Sequence, residues 1–257
     1  MSEEIKTLLS FNDRLHKIAD TQLQSEIRDG SNKVFFEAFV LGKAFKTYEA
    51  ILLLCRSGYG EDAFMLARTL FELMVTNSYI LKDSTEDTLM RYMHYDWVTR
   101  KEMYDYIVSV PDLLAKLNSE IASGKRINTV PEVEEEYKNA MAKYSYRNGW
   151  SDKSIKGMCE AIGRMDMYNT VYKMQCTVGH TNARSMNEYA QLTDEGSVLN
   201  IGPNWDLTRA TLVVAFDCFF HILKEADAQF SWNLETTLEG LANEYAKTVG
   251  ELKHGSD

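Results

Sequence analysis

Proline is scarce, with 3 residues in a chain of 257, and glycine is only 14. Both break helices, so their shortage removes a common obstacle to long helical segments. The four cysteines, Cys55, Cys159, Cys176 and Cys218, are widely spaced and form no CxxC. That excludes the paired-thiolate zinc patterns and argues against a disulfide framework. Cys55, Cys176 and Cys218 lie in apolar helical text, where a free thiol behaves as a small hydrophobe. A reducing cytoplasm is the compartment this usage suggests.

Uninterrupted apolar runs are also missing. The two most apolar stretches, Val34 to Cys55 and Leu207 to Leu223, are broken by Glu37, Lys43, Lys46 and Glu49 and by Arg209 and Asp217. Neither offers the ~18 uncharged residues of a membrane span. The opening MSEEIKTLLS has no apolar core of a signal peptide. No run of Lys or Arg exceeds two, and the net charge is −10. Non-specific duplex binding, which neutralises phosphates with basic side chains, is disfavoured. Docking on an anionic membrane surface is disfavoured for the same reason.

What remains is helical text: 45% hydrophobic and 26% charged residues. Apolar positions at spacings of three and four predict an amphipathic first helix, with Ser31 or Asn32 capping the second. Gly58-Tyr59-Gly60 turns the chain into a third, from Glu61 to about Lys82. Asp83 to Glu86 reads as a capping region for a fourth helix, rich in Tyr, Trp and Met. Pro111 and Pro131 each open a further helix. Asn187 to Asn204 is polar and irregular, suited to a surface loop or lid. Asp206 to Ser231 and Leu234 to Leu252 complete the series. No alternating strand pattern and no repeat of ~34 or ~40 residues is present. The expectation is an all-α, single-domain bundle of about nine or ten helices spanning residues 1–257, with the helices of 206–252 packed on the rest.

Gly58-x-Gly60-x-x-Ala63 superficially matches a dinucleotide-binding turn. The preceding text is helical, and Glu61 and Asp62 stand where phosphate would sit, so a helix-helix turn is the better reading. The third helix is more informative. Between Ala63 and Leu81 its only charged residues are Arg68 and Glu72, four apart on one face. A helix that is otherwise apolar predicts an internal pair, either a structural lock between helices or part of a pocket. Further on, Tyr172, Cys176 and His180 recur every four residues as one stripe. His180 either caps its helix or works as an imidazole at a pocket mouth. Cys176, mid-helix among apolar neighbours, is a poor nucleophile. Asp217 and His221, again four apart, are secondary candidates, as an acid-oriented base or an ordinary helix pair. No metal motif is present, neither HExxH nor the ExxH of di-iron bundles, and no cofactor is expected.

The helix, Gly turn and Ala63-x4-Arg68-x3-Glu72 pattern, with Tyr172 and His180 later, resembles a bacterial helical family known as a domain of unknown function, DUF5677. The resemblance covers roughly Val34 to Arg184, and it departs at Cys176, where the family tends to carry Ser. It implies an all-helical fold and couples the two constellations, but it implies no activity. The fold is also similar in flavour to HEPN helical domains, many of them nucleases or toxins of bacterial defence. Their Arg-x4–6-His signature is absent here. The leading expectation is therefore a helical binding protein, set in a bacterial stress or phage-defence system. It would present a protein-interaction surface or a small-ligand pocket lined by Arg68, Glu72, Tyr172, Cys176 and His180. Two rival expectations are a hydrolase or nuclease using His180 with Arg68, and a structural subunit. A homodimer is compatible with the aromatic fourth helix.

Overall fold

The computed structural model describes residues 1–24, 30–125, 128–147, 149–179, 190–193, 196–199 and 202–254. These residues form an all-α, multi-helix fold that divides into two compact units, Met1–Tyr79 with Met158–Asp257, and Ile80–Gly157. Among them, no helix is long and apolar enough to cross a membrane.

In the first unit, α1 (Glu3–Leu23) starts at Ser2 and α2 (Asn32–Arg56) starts at Ser31. Each serine hydroxyl accepts the N–H three residues on, satisfying one of the orphan donors of a helix start. α3 (Gly60–Leu81) follows the glycine turn. Two long helices close the chain, here α10 (Thr208–Phe230) and α11 (Glu235–His254). α10 packs against α1, α2 and α11. Its central contact is Phe219 stacked on Tyr48 at 4.2 Å. The Tyr48 hydroxyl donates to Oδ1 of the buried Asn12 at 2.6 Å, so these two polar groups satisfy each other inside this layer. α2 divides its aromatic residues between core and solvent. It buries Phe36, Val40, Ala44 and Tyr48 but turns Phe35 and Phe39 outward.

The turn before α3 explains its glycines. Gly58 has φ +78°, a conformation open to glycine without strain. A Cβ on Gly60 would stand 2.3 Å from the carbonyl oxygen of Asp206 and 2.4 Å from the Thr208 hydroxyl. Asn204 N–H donates to the Gly58 carbonyl at 2.7 Å, and the Thr211 hydroxyl donates to that of Gly60 at 3.1 Å. The motif is a helix-helix turn clamped to the start of α10.

In the second unit, α4 (Asp87–Ser109) contacts α5 (Pro111–Ala122) and α6 (Val130–Lys143) around Tyr104, Leu117 and Val133. The expected capping region is real. The Asp83 carboxylate accepts from the N–H and hydroxyl of both Thr85 and Thr88, at 2.6–2.9 Å. These bonds, led by the Thr85 hydroxyl, hold its pKa well below the usual carboxylate range. Arg91 ties the following loop to α4, donating to the carbonyls of Trp150 and Ser145 and to both Asp152 oxygens.

α7 (Ile155–Ile162) leads to α8 (Met165–Met167), a π-helical segment (Tyr168–Tyr172) and α9 (Lys173–Gly179). Within the polar stretch 187–204, Ala190–Thr193 and Gly196–Leu199 pair as an antiparallel hairpin. It carries too few residues for an alternating pattern to stand out, and it leaves the fold class unchanged.

Candidate functional site

Arg68 and Glu72 stand one turn apart on α3, as their spacing requires. Arg68 Nε donates to Glu72 Oε1 at 3.0 Å. The Tyr172 hydroxyl donates to the same oxygen at 2.9 Å, and Arg68 Nη2 donates to the Tyr172 oxygen at 3.4 Å. The guanidinium carbon also lies 5.2 Å from the Tyr172 ring centroid, within range of a cation–π contact. Tyr172 is itself wedged between Phe71 and Tyr168, with ring centroids at 5.4 and 5.3 Å. It is delivered from the π-helical segment. A π turn inserts an extra residue into the helical ladder and is often found at functional sites.

The pair is not internal. The side chains of Arg68 and Glu72 are 28% and 37% exposed. Phe64, Ala67, Phe71 and Val75 bury the inner side of α3, while Thr69 faces solvent and Arg68 and Glu72 lie between. Helix text with few charges therefore overstated the burial. Burial, then the bond to Glu72, pushes the Tyr172 phenol up to about 12. At neutral pH Tyr172 keeps its proton and acts as a donor. The arrangement can fix a cation and present a flat ring beside it.

Of the other predicted residues, Cys176 is partly buried near Arg68. His180 lies outside the described residues. Cys55, Cys159 and Cys218 are buried free thiols, so Cys159 joins the core although its local text is not apolar. Next to Cys176, the buried Gln175 donates from Nε2 to the Phe64 carbonyl at 3.3 Å and fastens α9 to α3.

The secondary pair is also formed, with His221 Nε2 3.4 Å from Asp217 Oδ1. The sequence reading missed what surrounds it. Arg164 Nη2 reaches the His221 ring, 3.2 Å from Nδ1 and closer to Nε2. One turn further along α10, Glu225 accepts from Asn77 Nδ2 at 2.8 Å and from the Ser78 hydroxyl. Glu37 of α2 is fully buried beside them. Burial first, then the Glu225 charge, raises its carboxyl from the ordinary range to about 8. Glu225 is raised as well, by burial. Among the described residues, both Glu37 oxygens and the Asn77 Oδ1 are buried without a hydrogen-bond partner. The signal for this cluster was Glu37, an acid within a largely apolar helical stretch. Among the described residues, no group of three or more His, Cys, Asp or Glu could hold a metal ion.

A family model for a family of unknown function, DUF5677, matches residues 37–198, well over half of the chain. The chain belongs to the DUF5677 family. No curated protein and no solved structure matches it. The DUF5677 segment begins at Glu37 and contains Arg68, Glu72, Arg164, Tyr172, Cys176 and His180. Asp217, His221 and Glu225 lie beyond it, so the two constellations differ in how they relate to the family. The Arg68–Glu72–Tyr172 triangle is built wholly from DUF5677 residues.

Proposed function

We propose that the chain acts by binding, and that Arg68 and Tyr172 form the seat of a small planar anion. The observation that carries this reading is the state of Arg68. Its guanidinium is fixed by two hydrogen bonds and a ring face, yet more than a quarter of its side chain remains open to solvent. A purely structural ion pair gains nothing from that exposure, since solvent weakens it. A binding group gains from being fixed in advance, because ordering a long side chain on binding costs roughly 0.5–1.5 kcal/mol. The planar fork of arginine matches carboxylate geometry, and the neighbouring phenol ring offers a flat surface. Glu72 positions both groups and neutralises part of the charge, which favours a weak, exchangeable ligand over a tightly held one.

Ligand-detected NMR with benzoate and its cationic isostere benzamidine tests the reading. Saturation transfer to benzoate, lost in Arg68→Gln and weakened in Tyr172→Phe, is the expected result. Equal transfer to both probes, or benzoate binding that survives in a folded Arg68→Gln, would overturn it.

A further inference from the structure

Outside the family segment, α10 and α11 line an open pocket of about 450 Å³ in the first unit. Its walls include the rings of Phe216, Phe220 and Tyr245, with Asp217 and His221 along one edge. Small-molecule sites run from about 300 to 1,000 Å³ and are mostly apolar with a few placed polar groups, which describes this cavity. Phe216 and Tyr245 lie parallel with centroids 3.9 Å apart, and Phe216 and Phe220 are nearly coplanar in orientation at 6.1 Å. The wall is a set of roughly parallel rings, suited to a flat guest.

The polar edge sets the charge of that guest. Arg164 Nη2 lies 3.2 Å from His221 Nδ1, so a guanidinium is hydrogen-bonded to that ring. Among the described residues lining the cavity, Asp217 is the one Asp, Glu, Lys or Arg, and its side chain is 41% exposed. Its field extends across the space. Burial first, and the Asp217 charge second, hold the Tyr245 phenol above its ordinary range, with Arg209 opposing. A carboxylate beside aromatic rings is the chemistry that recognises an organic cation.

We infer that the α10–α11 cavity binds a flat aromatic amine in its protonated form, with the amine on Asp217 and the ring against Phe216, Phe220 and Tyr245. The site is separate from the Arg68 seat and prefers the opposite charge. Three probes of matched shape test it by calorimetric titration of the full chain near pH 7: tryptamine (cation), indole (neutral) and indole-3-acetate (anion). Tryptamine should bind at least about tenfold tighter than indole-3-acetate, the difference a charge-assisted hydrogen bond supplies. Asp217→Asn should remove that preference and leave indole binding in place. Ala242→Phe, which fills the cavity from α11, should abolish binding of all three. The inference is overturned if indole-3-acetate binds as well as tryptamine, or if no probe gives saturable binding. Tryptamine affinity unchanged in a folded Asp217→Asn, or in Ala242→Phe, would overturn it equally. Arg68→Gln should leave tryptamine binding intact, so the two sites fail or stand separately.

Discussion

The Tyr172 hydroxyl donates to Glu72 Oε1 at 2.9 Å, bridging a π-helical turn and a helix one hundred residues earlier in the chain. The same oxygen takes the Arg68 Nε–H, so the phenol and the guanidinium are held by one acceptor. Tyr172→Phe removes the donor but keeps the ring. The loss expected is about 1 kcal/mol of stability, the usual net worth of a partly exposed hydrogen bond. Urea denaturation measures it. A loss above about 3 kcal/mol would mean that the phenol locks the fold rather than orienting Arg68.

Glu37 sets a pH dependence whose sign is fixed. The unfolded chain releases this proton near 4.5, whereas the folded chain keeps it to about 8. Between those values the native state binds more protons, so stability falls as pH rises from 4.5 to 8 and is level beyond. Glu225 shifts in the same direction, while Asn77 and Lys33 oppose the shift at Glu37. Glu37→Gln keeps the shape and removes the titration. The variant should melt close to wild type near pH 5 and clearly higher at pH 9, by a few kcal/mol in stability. If the difference between the two melting curves does not change with pH, Glu37 is not held neutral.

Gly60 is required by space rather than by backbone angle, since only its missing Cβ admits the Asp206 carbonyl and Thr208. The Asp206 carbonyl at 2.3 Å and the Thr208 nitrogen at 2.7 Å are backbone atoms where α10 begins and cannot swing aside as a flexible side chain would. Gly60→Ala should cost about 3 kcal/mol, at the upper end of overpacking. Gly30→Ala is the control, because nothing lies within 4 Å of its Cβ position. Thermal melts that rank the two variants the other way would refute the clamped turn.

Arg91 is the organiser of the second unit's loop, with bonds to two carbonyls and one carboxylate. Arg91→Lys keeps the charge but loses the fork, and a point charge cannot reach all three partners. Hydrogen exchange across residues 144–152 should accelerate while the α4 core around Tyr104 stays protected. Uniform acceleration through the unit would show instead that Arg91 supports the whole fold.

Much of the fold was legible in the sequence because helix text is local. The Ser31 cap, the prolines at first turns and the Gly58–Gly60 turn all act within a few residues, and each marked a helix start. The pairing of Arg68 with Glu72 was legible for the same reason, through the periodicity of one helix. Joining Tyr172 to them needed the family resemblance, since nothing local in either helix announces a contact across so much chain. What failed were inferences about burial. Arg68 and Glu72 stood among apolar residues, yet their side chains reach the edge of the helix face and stay wet. Glu37 also stood among apolar residues, and there the opposite holds: it is fully buried. The difference lies in what packs on each face, which is decided by α10 and by the turn at Tyr168–Tyr172, far away in sequence. The Arg164–His221 contact and the Asn77–Glu225 bond were invisible for that reason.

The central claim is that Arg68 is held ready for a ligand and is not a buried structural ion. Arg68→Gln separates these two roles when stability and benzoate binding are measured on the same sample. A surface-exposed pair contributes about 0–1 kcal/mol, so the account predicts a nearly unchanged urea midpoint together with complete loss of benzoate saturation transfer. A fall in stability of about 3–5 kcal/mol, the cost of stranding a buried partner, or a well-folded variant that still binds benzoate, would contradict it.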